Sequence, residues 1–293
     1  MNKMSVQKQK LFGKDGFDSY YCSLFGERWQ GLKASLLKEN TYAAVKVQDK
    51  ETYYMDPASV CAALTLPSGE ENLDLCAAPG GKTLVLALCM SDMANLYSNE
   101  RSQQRKKRLD SVVQNSLPEQ ISSRVFTSCS DGALWCKKET KKFDSILLDA
   151  PCSSERHVLT DSKYLSEWSP SRVKSVSMEQ WALLSSAWRL LREGGYLLYA
   201  TCALNPTENE EQIKRLQKKF ADAEVFGLEK MKDSFMQNLK KASSFISLQN
   251  SDIESLESLY TLSEPLENGV HLLPDSEKNT GPLYFCLVRK RVS

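Results

Sequence analysis

The stretch Leu73-Asp74-Leu75-Cys76-Ala77-Ala78-Pro79-Gly80-Gly81-Lys82-Thr83 decides the fold class of this chain. Leu73 to Cys76 reads as a short buried strand, and Lys82 to Cys89 as an apolar helix. The residues between them are small, so the backbone can turn sharply and a ligand can approach it closely. A helix that starts there offers unpaired N–H groups to a carboxylate. The loop lacks the GxxxxGK[ST] spacing of a phosphate-binding loop and the GxGxxG spacing of a dinucleotide turn.

Outward from this loop, strands and helices alternate. Asn95 to Ser98, Arg124 to Thr127, Phe143 to Leu148 and Tyr196 to Tyr199 read as strands. Between and after them fall three helices. One runs from Arg101 to about Asn115. A second has Ser169 as N-cap and Pro170 at its first position and is ended by Gly194 or Gly195. The third spans Thr207 to Phe220. The rhythm predicts an α/β fold of Rossmann-like type, a mostly parallel sheet wrapped by helices through right-handed crossovers. Near the end, Val270 to Leu273 and Leu283 to Val288 read as an antiparallel pair joined by a polar loop. Residues 17–40 read as helical, Tyr42 to Val47 as a short strand, and Asp56-Pro57 as a helix start. The expected organisation is a mostly helical appendage at 1–65 and a main domain at 66–293, with a variable, partly helical insertion at about 230–268.

Composition narrows the class. The chain has 293 residues, 41% of them hydrophobic, and a net charge of +1. No apolar run approaches the roughly 20 residues of a membrane span. Met1 to Lys14 is polar and basic without the apolar core of a secretory signal, which predicts a cytoplasmic protein. That segment also lacks acidic residues, which keeps the mitochondrial matrix as an alternative, although it has no arginine. Nine cysteines show no CxxC pair and there are two histidines, so no metal site is expected and a reducing compartment fits. Positive charge is local, in Arg101 to Arg108, in Lys137, Lys138, Lys141 and Lys142, and in Lys214, Arg215, Lys218 and Lys219. Each block alone reads as a solvated face; several on one chain favour a polyanionic partner.

Two cysteines stand out. Asp149-Ala150-Pro151-Cys152 closes one strand run and Ala200-Thr201-Cys202 closes another. In a parallel sheet both ends face the ligand crevice, which suggests covalent chemistry. The other seven cysteines read as small hydrophobes. Glu100 lies nineteen residues after Gly81, at the tip of the next strand, where an acid can accept both hydroxyls of a ribose. A ribose acid with a glycine turn and no phosphate clamp fits S-adenosylmethionine.

Leu73 to Thr83, Asp149 to Cys152, Thr201-Cys202 and Asn205 to Glu210 together resemble the Nop/Sun (RsmB-like) family of RNA cytosine-5 methyltransferases. The likeness covers about 53–225 and resumes at Leu272 to Pro274 and Gly281 to Lys290. Phe17 to Val45 and Gly281 to Cys286 are most similar to members that modify mitochondrial small-subunit rRNA. The resemblance implies that Cys76, Ala77, Ala78, Pro79, Gly80, Gly81 and Lys82 hold the methionine end of S-adenosylmethionine. It places Glu100, with Arg105 beside it, at the ribose, and Asp131 at the adenine amine. Asp149 would contact cofactor and target base, Cys202 would be the nucleophile and Cys152 the assistant in product release, with Lys82 tuning Asp149. It implies an RNA partner, ribosomal RNA first and transfer RNA second, and a monomer.

The chemistry accounts for such residues. C5 of cytosine is a poor nucleophile until a thiolate adds to C6. A helix start near Pro206 would favour the thiolate of Cys202, and Asp149 could serve as general acid at N3. The target base must leave its stack, which is cheap in single-stranded RNA. Lys33, Lys38 and Lys46 could hold phosphates, and Ser153 to His157 would form the substrate rim. Two alternatives stand beside this. A DNA cytosine-5 methyltransferase would use the Pro-Cys cysteine and carry a larger recognition domain. A non-catalytic binding factor would not need Cys152, Cys202 and Asp149 together.

Overall fold

The apolar runs are nearly unbroken, and the reason is burial on both faces. In the computed structural model, which describes residues 11–248, 254–276 and 279–292, consecutive strand residues enter two different cores. Leu197 and Tyr199 pack on one side and Leu198 and Ala200 on the other; Tyr284, Cys286 and Val288 alternate likewise with Leu283, Phe285 and Leu287. A sheet covered on both faces has no polar face to alternate with. Each buried Leu or Phe contributes roughly 1.5–3 kcal/mol, so this doubled layer is the main source of stability.

In chain order the strands are β1 (Ala43–Val45), β2 (Tyr53–Met55), β3 (Glu71–Asp74), β4 (Asn95–Glu100), β5 (Val125–Cys129) and β6 (Phe143–Asp149). There follow β7 (Leu191–Thr201), β8 (Ala223–Val225), β9 (Ile246–Leu248), β10 (Glu264–Pro265), β11 (Val270–Leu272) and β12 (Leu283–Lys290). Among the described residues, the main sheet has the order β10-β11-β12-β7-β6-β3-β4-β5, with β8 also on β12. β5, β4, β3, β6 and β7 are mutually parallel, and β12, β11 and β10 add antiparallel. Strand order reverses between β3 and β6, which opens a crevice beyond their carboxyl ends.

Several boundaries differ from those the sequence suggests. Residues 17–40 form two helices, Gly13–Phe25 and Arg28–Leu36, because Gly26 turns at φ 57°. The long helix Pro170–Leu190 passes directly into β7, so Gly194 and Gly195 do not end it. They belong to a bulge: Phe143 pairs with Leu191 and Ser145 with Tyr196, so two steps on β6 face five on β7. Gly194 sits at φ +77°, and a Cβ on Gly195 would lie 2.8 Å from the Asp144 carbonyl oxygen. Ser169 makes no side-chain cap; its hydroxyl bonds Ser171. The segment expected as one helix from Thr207 is a 3-10 turn, Pro206–Glu208, then the helix Glu210–Lys219, with Asn205 capping Thr207.

The first helices pack an aromatic cluster (Phe17, Tyr21, Trp29) against Trp168, Val173 and Leu204. β1 pairs with β2 and with β9, which joins the N-terminal segment to the 230–268 region. That region holds the helices Leu228–Ala242 and Glu254–Thr261. The basic terminus at residues 1–10 and residues 249–253 of the region lie outside the described residues. Among the described residues no helix is long and apolar enough to cross a membrane.

Candidate active site

The crevice is built from strand ends. β3 leads into the small-residue turn, where Gly80 takes φ +121° and the helix Gly81–Cys89 begins. A Cβ on Gly80 would meet Val112 at 3.0 Å, and one on Gly81 would meet the Tyr53 ring at 2.8 Å, so a side chain at either position would push its neighbour aside. β4 ends at Glu100, β5 is followed by Asp131, β6 ends at Asp149 before Cys152, and β7 ends at Thr201 before Cys202. Adjacent pairing of β6 with β7 sets Asp149 opposite Ala200.

One crevice of about 1230 Å³ gathers Cys76, Ala78, Lys82, Glu100, Arg105, Asp131, Asp149, Cys152 and Cys202. A narrower annex of about 100 Å³ adds Ala77, Pro79 and Gly81, together with Tyr53 and Asp74, and shares Ser59 with the crevice. Gly80 lines neither; it faces Leu109 and Val112 and acts on the turn. Among the described residues no cluster suits a metal ion.

Cys152 Sγ and Cys202 Sγ lie 2.7 Å apart, and both cysteines are free thiols. Their contact, and then burial, hold the Cys152 thiol well above the ordinary thiol range. Lys82 Nζ donates to Asp149 Oδ2 at 2.8 Å and to Ser59 Oγ at 2.9 Å. Burial alone would depress the Lys82 ammonium, but the charge and hydrogen bond of Asp149 outweigh it and raise it, with Cys202 adding to the effect. The cations that feel Cys202 are thus Lys82 and Arg156. The helix expected to polarise Cys202 starts only at Glu210, beyond a separate 3-10 turn.

On the other side of the crevice, Glu100 is buried; its Oε1 accepts from the Ser102 amide at 2.8 Å and its Oε2 stands 3.3 Å from Arg105. Arg105 also donates to the Ala78 carbonyl at 2.5 Å, which locks the helix after β4 to the glycine turn. Asp131 accepts from the Ala133 amide at 3.0 Å. Beneath the turn, burial pushes the Asp74 carboxyl up to about 7 despite a 2.7 Å bond from Thr83, and its Oδ1 has no partner among the described residues.

The segment expected as a rim splits in two. Arg156 and the exposed His157 line the crevice, and His157 packs on Tyr164, which in turn lies under Arg172. Ser153 and Glu155 instead point inward and are buried. With Glu208, whose carboxyl burial pushes up to about 7, and Gln180 they form a polar cluster under the thiol loops. Sequence reasoning missed this cluster, since Glu155 and Glu208 both look like ordinary acids of a first helical turn. From the basic block Arg101 to Arg108, Arg101, Arg105 and Arg108 reach the crevice. Lys33 is paired with Asp18, Lys141 with Glu71 and Lys214 with Glu267.

Comparison with known proteins agrees with this architecture. The model of the family 16S rRNA methyltransferase RsmB/F matches residues 61–283. The ribosomal RNA small subunit methyltransferase F of Aliivibrio salmonicida is 32% identical over 246 residues, covering 82% of this chain and 50% of that protein. The 5-cytosine rRNA methyltransferase NSUN4 of Bos taurus is 32% identical over 245 residues, covering 80% of this chain and 58% of that protein. The chain thus spans about half the length of these relatives. The crystal structure of a methyltransferase homolog protein from Pyrococcus horikoshii superposes with a TM-score of 0.65 at 21% identity, covering 94% of both chains, a likeness of fold. The chain belongs to the RsmB/F family of 16S rRNA methyltransferases.

Proposed function

We propose that the chain methylates C5 of a cytosine in ribosomal RNA, with S-adenosylmethionine as methyl donor and a transient Cys202–C6 bond. The observation that carries this is the meeting of two thiols, 2.7 Å apart, at one crevice with the Lys82–Asp149 pair. The names of the two relatives, both rRNA methyltransferases, support the substrate class.

The residues fit S-adenosylmethionine. Glu100 ends β4 and Asp131 follows the neighbouring β5, and they offer carboxylate oxygens to ribose hydroxyls and the adenine amine. The turn from Cys76 to Lys82 lines the crevice and its annex, with no Cβ at Gly81, and so receives the methionine end. When bound, the cofactor supplies an electrophilic methyl group.

Cys202 adds to C6 of an unstacked cytosine, which makes C5 nucleophilic. Lys82 and Arg156 line the crevice with Cys202, while the contact with Cys202 and burial hold the Cys152 thiol well above the ordinary thiol range. Asp149, held by Lys82, faces the base and manages the proton at N3. After C5 is methylated, solvent water in the open crevice takes the C5 proton, the C5–H pair closes the C5=C6 double bond, and the C6–S bond breaks with its pair returning to Cys202. Cys152, in contact with that sulfur, assists this release.

The test uses methyl-labelled cofactor with small-subunit rRNA transcripts. Label should appear as 5-methylcytosine and vanish with Cys202→Ala, and Cys152→Ala should leave a denaturant-resistant RNA adduct. An adduct that persists in Cys202→Ala would instead assign the nucleophile to Cys152, as in the DNA enzymes, and overturn the reading.

A further inference from the structure

We propose that Glu155 is the positioning residue of the two thiols: its single carboxylate anchors the Cys152 loop and the Cys202 loop together and so sets their separation. The proposal rests on the reading that both thiols serve methyl transfer.

Glu155 has no solvent exposure. Its Oε1 accepts from Ser153 Oγ at 3.1 Å, on the loop after β6, and its Oε2 accepts from the Leu204 amide at 3.0 Å, on the loop after β7. Ser153 follows Cys152 directly, and Leu204 lies two residues past Cys202. Tyr21 donates to the same Oε1 at 2.6 Å, which ties both loops to the N-terminal helix Gly13–Phe25. Further bonds fasten the rest of each loop. Glu208 Oε2 accepts from the Ser153 amide at 2.8 Å, and Gln180 donates to both Glu208 and the Pro151 carbonyl. Asn209 accepts from Thr201 and donates to the Ala203 carbonyl. The Glu208 bond is a second tie between the two segments, further along the chain from Cys202; Glu155 ties them next to the thiols, through Ser153 and Leu204.

The backbone supports this role. Ser154 takes φ 52°, ψ 73°, a left-handed conformation costly for a residue with a side chain. Bonds to Ser153 on one side and the buried Glu155 on the other hold that turn in place. In a buried site the three donors on Glu155 have no water to replace it, so its loss would loosen the loops where the thiols sit. A shift of about 1 Å between reacting groups can cost on the order of 100-fold in rate.

Two readouts test it. A trivalent arsenical, phenylarsine oxide, condenses with two adjacent thiols and releases water, so it reports their separation without any turnover. The wild-type chain should capture one equivalent, reversed by 2,3-dimercaptopropanol and lost in Cys152→Ala and Cys202→Ala. Glu155→Gln removes one acceptor oxygen and should weaken that capture about tenfold or more and lower kcat about 10- to 100-fold. It should leave cofactor affinity within about twofold, and it should raise the fraction of RNA held as adduct, because release suffers with the spacing. If Glu155→Gln does not yield folded protein, Ser153→Ala, which deletes one anchor bond, should shift both readouts the same way by a smaller factor. Wild-type arsenical capture and kcat in Glu155→Gln would overturn the proposal, as would a parallel loss of cofactor affinity that marks general unfolding. If the wild-type chain transfers no methyl but capture still depends on Glu155, the positioning stands and the assigned reaction falls.

Discussion

Lys82 and Asp149 form an ion pair of 2.8 Å that joins the first turn of the helix after β3 to the end of β6, 67 residues further along the chain. Ser59 accepts from the same ammonium at 2.9 Å, so a third element converges there. The Lys82 side chain is 12% exposed and that of Asp149 32%, which places the pair at the wall of the crevice.

Lys82→Met removes the charge and both hydrogen bonds. Methyl transfer in a single turnover should fall about 100-fold, the usual scale for losing control of a proton-managing group. Stability should drop by only about 1–2 kcal/mol, less than for a fully buried pair, since water can reach Asp149. Lys82→Arg should not rescue the rate, because a forked guanidinium does not fit where one ammonium meets two acceptors. A rate within a few-fold of wild type for Lys82→Met would refute the role.

Glu100→Ala should weaken S-adenosylmethionine binding by about 10- to 100-fold, as expected when the net loss is about 1.5–3 kcal/mol, the worth of one hydrogen bond to a charged group. Equilibrium dialysis with labelled cofactor measures this directly. Adduct formation by Cys202 on RNA, by contrast, should survive in this variant at saturating RNA. Unchanged cofactor affinity would move the ribose elsewhere.

Gly80→Ala puts a Cβ at a φ of +121° and within about 3 Å of Val112. The cost should be about 1–3 kcal/mol, and thermal unfolding should shift down by roughly 2–4 °C for each kcal/mol. Because the turn and the helix start move together, cofactor affinity should fall as well. An unshifted melting curve would show that the turn tolerates a side chain.

The pH dependence of stability should carry the mark of Glu208. Burial raises this carboxyl to about 7 in the folded chain, against about 4.3 when unfolded. Below about pH 4 both states are protonated and it costs nothing. From pH 4 to 7 the unfolded chain has released the proton while the folded chain retains it, so stability declines as pH rises, by at most about 1.4 kcal/mol per unit. Above 7 the full cost is present. Glu208→Gln can still accept from the Ser153 amide and escapes this cost. Relative to wild type, its denaturant midpoint should therefore improve between pH 5 and pH 7. Parallel curves for the two proteins would contradict a raised carboxyl.

Much of the fold is legible in the residues themselves. The apolar runs, the glycine turn between Leu75 and Thr83, and the helix start at Asp56-Pro57 are local signals, and each appears where its chemistry requires it. Gly194 and Gly195 mislead because a glycine after a helix is usually its cap, whereas here they accommodate a bulge that exists only against β6. Cys152 and Cys202 can be placed at strand ends from sequence, since a strand's end is a local property.

Local patterning, written in hydrophobic runs and turn residues, determined by itself that strands alternate with helices and that two cysteines close two of those strands. Tertiary structure alone decided that these strands are neighbours, which brings the thiols to 2.7 Å. It also decided that Glu155 is buried, on a bond from Tyr21 that spans 134 residues of chain. A carboxylate is stable there because the neighbouring Ser153 and two donors from distant segments, Tyr21 and Leu204, replace its water, and no short stretch of sequence records such a convergence.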